Sequence, residues 1–359
     1  MMHAAALSLL TLSCTSTPHE TQKSMGPAER WTEAAVNDWH NQQGWMVGCN
    51  YVTSSAVNQL EMWQADTFDP QLIDKELGWA KDLGFTSMRV FLHSLVWLND
   101  STAFKQRIDE YLKISTKNGI KTTFVLLDDC WNANGAYGKQ PEPKTGVHNS
   151  GWIQDPVASM RKDTTTLYPA MEGYIKDILT TFKDDDRVLM WDIYNEPGNS
   201  GHVNASLPLL KKAFQWAREV NPSQPLTSGI WKLDLKDLNT YQLNHSDVIS
   251  YHCYLDQPNH AQWVNWLGYF GRPMFCTEWM GRRFNSTFET IFPMLKENHI
   301  GAYCWGFVAG KTNTIFAWDD PRPDGKEPEL CFHDNIRTDG TPYAAKEIET
   351  IKKLTLKNK

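Results

Sequence analysis

The sequence predicts an α/β protein built as a single (β/α)8 TIM barrel. Three observations carry that prediction. Eight short apolar runs are each followed by a segment with helical periodicity, and this alternation implies a parallel sheet with right-handed crossovers. Eight such units close into a barrel, and 359 residues hold the roughly 250 that a barrel needs, with insertions to spare. Two of the runs end in a glutamate, Glu196 and Glu278, at the strand ends where a barrel carries its chemistry.

The elements follow in order. Residues 1–14 contain no Lys, Arg, Asp or Glu, and Ala4 to Leu12 is a short apolar run. It is too short to span a membrane and reads as a signal peptide. It resembles a bacterial lipoprotein signal with Cys14 as the lipidated residue, although Thr11-Leu12-Ser13 is a loose form of that motif and the basic n-region is missing. The protein is therefore expected to be secreted or anchored at the outer surface. Residues 15–40 read as an N-terminal leader and 41–359 as the barrel domain.

Trp45–Tyr51 is the first strand, and Ile73, Leu77 and Ala80 recur at helical spacing until Gly84. Thr86–His93 is the second strand, followed by a helix through Ile108, Tyr111, Leu112 and Ser115 that stops at Asn118-Gly119. Lys121–Asp128 is the third. A polar insertion then runs from Asp129 to about Leu167, and loops of that length are uncommon unless functional. Met171, Tyr174, Ile175, Ile178, Leu179 and Phe182 form an amphipathic helix. The fourth strand starts at Val188 and is stopped by Pro197 after Asn195-Glu196. Leu207, Leu210, Phe214 and Ala217 mark the next helix. Pro225–Trp231 is the fifth strand, with Leu233–Leu243 its only candidate helix. Asp247–Tyr254 is the sixth, with a helix from Trp263 to Tyr269, and Pro273–Trp279 is the seventh, with a helix through Phe288, Ile291, Phe292 and Leu295. Gly301–Phe307 is the eighth; a long loop, Val308–Pro342, leads to a last helix containing Ile348, Ile351 and Leu354.

Composition excludes some partners. A net charge of −7 and a pI near 5.9 argue against nucleic acid or an anionic membrane surface. There is no Gly-rich phosphate loop and no clustered His/Cys site, so no cofactor and no metal is expected. The acidic run Asp319–Gly325 fits no calcium-loop spacing and reads as a solvated turn. Sixteen tryptophans exceed what a core needs; Trp97, Trp131, Trp152 and Trp318 sit in loop-like contexts, where flat rings suit the C–H faces of sugars. Cys49, Cys253, Cys276 and Cys304 each fall inside a strand. Strict alternation puts Cys253 toward the helices and Cys276 inward with Glu278, in different layers, so free thiols are expected.

The polar residues at the strand ends form the candidate site: Arg89, His93, Asn195, Glu196, His252, Tyr254, Glu278 and Trp305. Two carboxylates on two strand tips are the usual equipment for breaking a glycosidic bond. The motifs Arg-x-Phe at Arg89, Asn195-Glu196-Pro197, His252-Cys-Tyr254, Thr277-Glu278-Trp279 and Trp305-Gly306 together resemble the clan A glycoside hydrolases, most closely family 5, the cellulase-like family. The resemblance covers nearly the whole chain after residue 40. It implies that Glu196 is the acid/base and Glu278 the nucleophile of a retaining double displacement. It further implies that Asn195 binds the substrate 2-hydroxyl, Tyr254 and Arg89 hold and tune Glu278, His252 sits near Glu196, and Trp305 forms the sugar floor. Many relatives carry a His at the third strand end, where this chain reads Leu127-Asp128-Asp129-Cys130-Trp131. Asp129 or Trp131 is left to take over a substrate contact, and Trp131 or Trp152 is expected to line a subsite.

The expected activity is hydrolysis of plant-type β-glycans, with mannan, glucan and xylan all open, by a chain acting as a monomer on an oligo- or polysaccharide. The alternatives are a non-catalytic carbohydrate-binding protein on a hydrolase scaffold and a transglycosylase.

Overall fold

The computed structural model describes residues 29–356, so the expected signal segment and Cys14 lie outside the described residues. The chain forms the expected barrel. Its strands are β1 (Val47–Asn50), β2 (Ser87–Phe91), β3 (Lys121–Asp128), β4 (Val188–Asn195), β5 (Leu226–Thr227), β6 (Ile249–His252), β7 (Met274–Trp279) and β8 (Gly301–Cys304). They pair in parallel in the order β5-β4-β3-β2-β1-β8-β7-β6. The remaining seam, between β5 and β6, is closed by a bridge at Ile230: its N–H donates to Ser250 O (3.0 Å) and its carbonyl accepts from His252 N (2.8 Å).

The helices are α1 (Glu33–Gln43), α2 (Gln59–Trp63), α3 (Pro70–Asp82), α4 (Ser94–Lys117), α5 (Ala158–Arg161), α6 (Thr164–Phe182), α7 (Leu207–Val220), α8 (Lys236–His245), α9 (Gln257–Gly268), α10 (Phe292–Glu297) and α11 (Ala345–Thr355). None is long and apolar enough to cross a membrane. The main core lies between strands and helices, as a parallel sheet covered on its outer face requires.

The barrel interior grades from apolar to charged along the strands. At the amino ends Met46, Met190, Val248, Phe275 and Tyr303 pack together with Val36 of α1. Helix α1 plugs that mouth, so the expected leader is in part structure: Thr32 caps it by accepting from Ala35 N (3.2 Å), and Trp31 N donates to Asp247 Oδ1 (2.8 Å). Val36 is the only buried residue of α1, which leaves no periodic signal in the sequence. A hydroxyl layer follows, with Ser87 Oγ 2.8 Å from Tyr303 OH and Thr227 Oγ1 2.7 Å from Ser250 Oγ. Above it, at the carboxyl ends, the interior is filled by charge.

Two local expectations are corrected. Strand β2 ends at Phe91, and the chain turns at once into α4, with a kink at Asp100, so this helix starts well before the expected one. In β7 a bulge intervenes: Tyr251 pairs with Cys276 but His252 pairs with Glu278, skipping Thr277. The bulge resets the alternation. Cys276 faces the helices, 3.8 Å from His260 Nε2 of α9, in the same core as Cys253 rather than in a different layer. The six described cysteines are nonetheless unpaired.

Candidate active site

The foundation of the site is an ion cluster inside the barrel. Arg89, from the inward face of β2, is fully buried. Its Nε and Nη2 donate to Asp192 Oδ2 (3.0 and 2.8 Å), Nη1 donates to Asn50 Oδ1 (2.6 Å) and Glu278 Oε1 (3.1 Å), and Nη2 also reaches Asn195 Oδ1 (2.6 Å). A buried guanidinium needs compensating anions, and here they come from β4 and β7. Asp192 and Asn50 were missed in the sequence. An aspartate in the middle of the apolar run Val188–Tyr194 is a signal that a buried cation faces it.

The two glutamates meet above this base. Glu278 Oε2 accepts from Tyr254 OH at 3.0 Å and lies 3.4 Å from His252 Nδ1. Glu196 has φ 43, in the left-handed region that non-glycine residues rarely adopt and that costs of order 1–3 kcal/mol. Its Oε1 is 2.7 Å from His252 Nδ1, and Oε2 accepts from Asn199 Nδ2 and lies 3.2 Å from Cys130 Sγ. One oxygen from each glutamate and a ring nitrogen of His252 lie within 4.8 Å of one another. Burial pushes both carboxyls above the ordinary range. At Glu278 His252, the Arg89 charge and the Tyr254 hydroxyl oppose that rise; at Glu196 the thiol of Cys130, the amide of Asn199 and the more distant Arg89 charge do so. Burial lowers His252 to about 4, so above that pH its ring is neutral, with Nδ1 in hydrogen-bond reach of Glu196 Oε1.

The third strand end supplies support. Asp128 Oδ1 accepts from Asn195 Nδ2 (2.9 Å) and Cys130 N (2.9 Å), and Oδ2 accepts from Trp152 Nε1 (2.7 Å). Asn195 is thus held at both ends of its amide. Asp129 is fully buried, taking Arg161 Nη2 (2.6 Å), Tyr194 OH (2.7 Å) and Gly198 N (2.7 Å). It fixes the turn after β4 and does not border the cavity, so of the two residues expected to take a substrate contact, Asp129 or Trp131, only Trp131 borders it. Cys130, also missed, stands against Glu196 at the place where relatives are expected to have a His.

A cavity of about 380 Å³ opens over the glutamates. Asn195, Glu196, His252, Tyr254, Glu278 and Trp305 border it, as do Trp131, Trp152 and Trp318. Arg89 lies beneath. His93 does not join them. It follows the end of β2 and caps α4, accepting from Leu95 N (3.2 Å), with Nε2 3.2 Å from Gln154 O. Trp152 was expected to stand outside the core; it is instead buried against Phe91 and Trp305 (centroids 5.0 and 5.6 Å), one edge on the cavity. Trp131, 45% exposed, is free to meet a ligand. Trp97 lies away, donating to Asp177 Oδ2 (2.7 Å).

Glu196, His252 and Glu278 also present three donors close enough for a metal ion. Their donors are already engaged by Cys130, Asn199, Arg89 and Tyr254, and the Arg89 charge repels a cation. The set fits a metal poorly.

A family model described as Cellulase (glycosyl hydrolase family 5) matches residues 53–310. The chain belongs to this family. It is a glycosidase, then, and its substrate is a carbohydrate. No curated protein matches the chain. Among solved structures it is similar to GH5_18 from Streptomyces cattleya in complex with GlcNAc (12% identity, 88% of this chain and 80% of that one, TM-score 0.61). It is also similar to an exo-β-1,4-mannosidase from Opitutaceae bacterium strain TAV5 (18%, 87% and 59%, TM-score 0.59) and an endo-β-1,4-mannanase from Thermotoga petrophila (12%, 89% and 77%, TM-score 0.56). At such identities the likeness is one of fold, and it is the same barrel.

Proposed function

We propose that this family 5 hydrolase cleaves β-glycosides with retention, by double displacement. The observation that carries the reading is the pair of glutamates, close together and differently supported. Carboxyls about 5–5.5 Å apart leave no room for a water between them and favour covalent catalysis. Glu278, held by Arg89 and Tyr254, is the ionised partner. It attacks the anomeric carbon and forms the glycosyl ester as the C1–oxygen bond breaks. Glu196 has no cation in hydrogen-bond reach and keeps its proton, which it gives to the departing oxygen. It then takes a proton from water, which attacks C1 and frees Glu278. Asn195 contacts the 2-hydroxyl, and Trp305 forms the floor under the sugar.

The substrates are β-glycans of the mannan, glucan or xylan class. Mannan comes first in testing, because the similar solved structures include an exo-β-1,4-mannosidase and an endo-β-1,4-mannanase. Export fits a polymeric substrate; a Cys14→Ala chain that still partitions with membranes in its host would remove the lipid-anchor part of this reading.

Azide separates the two glutamates. With an activated aryl β-glycoside, Glu278→Ala plus azide should yield the α-glycosyl azide, because azide enters from the vacated nucleophile face. Glu196→Ala should still form the intermediate and give the β-azide. Swapped anomers would exchange the roles, and an inverted wild-type product would end the retaining reading.

A further inference from the structure

The cavity is closed at one end, and the position of Glu196 tells which end it is. The acid protonates the leaving oxygen, so the leaving group lies on the β4 side. There Trp131 follows Cys130, and Trp231 Nε1 donates to Pro197 O (3.1 Å), so two rings flank an open approach to Glu196. The sugar that receives Glu278 therefore extends the other way, over Trp305, toward β8, β1 and β2.

On that side three loops are joined by main-chain hydrogen bonds into one wall. Asn149 N donates to Thr312 O (2.8 Å), Lys311 N to Ser54 O (3.0 Å) and Arg322 N to Gly146 O (2.8 Å). The loops touch backbone to backbone: a Cβ on Gly310 would lie 2.2 Å from Ser54 O, and one on Gly146 would lie 1.7 Å from Arg322 O. No saccharide chain passes between them.

Asn149 stands in this wall with its backbone pinned on both sides, since its carbonyl also accepts from Trp152 N (3.0 Å). Its side chain is 2% exposed and borders the cavity; Oδ1 and Nδ2 have no protein partner and almost no exposed surface of their own, so the amide turns to meet a ligand there. A buried amide left unpaired costs about 1–3 kcal/mol, so a ligand that satisfies it gains that much in discrimination. An amide offers one acceptor beside two donors, and the group that matches it is a pair of neighbouring hydroxyls.

Resting on the retaining β-glycosidase reading above, we infer that this enzyme is exo-acting: it takes one terminal β-linked pyranose, and Asn149 reads the vicinal hydroxyls on the edge of that sugar farthest from C1. The loop wall excludes a further sugar unit beyond it. Substrates substituted on those hydroxyls, or carrying another sugar there, do not fit.

The test uses β-1,4-linked manno-, cello- and xylopentaose, each labelled at the reducing end, with aryl β-mannoside, β-glucoside and β-xyloside alongside. The expected result is stepwise loss of single units from the unlabelled end, with free monosaccharide as the first product. Internal cleavage, seen as early labelled di- or trisaccharide together with unlabelled oligosaccharide, overturns the inference and leaves the retaining hydrolase intact. Failure to hydrolyse any of these substrates would sink the underlying function as well. Asn149 has φ 44, so Asn149→Gly removes the amide while tolerating that backbone. It should raise KM for the cleaved aryl glycoside at least tenfold, with a smaller change in kcat; Asn149→Asp, keeping the acceptor, should recover part of the loss. An unchanged KM in a Gly variant with wild-type melting removes Asn149 from the assignment, and the product pattern of the unaltered enzyme decides the exo reading without any variant.

Discussion

Replacing Tyr254 by Phe removes one donor from Glu278, the proposed nucleophile, and nothing else of size. The hydroxyl lies 3.0 Å from Glu278 Oε2; Glu278 is buried and Tyr254 half-buried. A hydrogen bond to a charged group is worth about 1.5–3 kcal/mol. It favours the ionised form of Glu278, so losing it raises the carboxyl pKa. At 1.36 kcal/mol per pH unit, the rise is about one to two units. Glu278 must be ionised to attack, so its titration sets the acid limb of kcat/KM. That limb should move to higher pH by about one to two units in Tyr254→Phe, while activity well above it recovers much of the wild-type level. The assay is the pH dependence of kcat/KM on an aryl β-glycoside, with melting temperatures to confirm folding. The two glutamates are close enough to titrate as a pair, so the limbs belong to the dyad, but the direction is set by which group must lose its proton. An acid limb that stays put, or moves down, would show that the phenol does not stabilise the ionised nucleophile.

Three further outcomes follow from the geometry. Cys130→Ala deletes the thiol beside Glu196 Oε2 and should raise the pKa of Glu196, the proposed acid/base, by up to about one unit, moving the basic limb of the same profile upward; a downward shift contradicts the contact. Trp131→Ala should raise KM on oligosaccharides with stability unchanged, whereas Trp152→Ala should lose about 3–5 kcal/mol in denaturant unfolding because its ring is buried against Phe91 and Trp305; equal stability of the two variants refutes this division. Asp129→Ala leaves Arg161, Tyr194 and the Gly198 amide without their acceptor and should destabilise by about 3–5 kcal/mol, read from urea midpoints; a loss below about 1 kcal/mol would mean that the turn after β4 does not depend on it.

By itself the sequence determined the barrel and most of its charged mouth. Strand-then-helix periodicity is local, and in a closed parallel barrel every strand end points to one rim. Polar residues that share only that position, such as Arg89, Asn195, Glu196, His252, Tyr254 and Glu278, therefore had to converge. What it left undecided depended on contacts between distant segments. His93 looked like a rim residue until β2 stopped at Phe91 and its ring became a helix cap. Cys276 looked inward until a bulge shifted the register of β7. Asp192, Asn50 and Cys130 acquire their roles only from partners 39 to 103 residues away, Arg89 for the first two and Glu196 for the third. Asn149 and the wall around it exist only because three loops from different strands pack backbone against backbone. Periodicity reports the face that a residue shows within its own element; which residue of another element meets it there is settled only when the chain is folded.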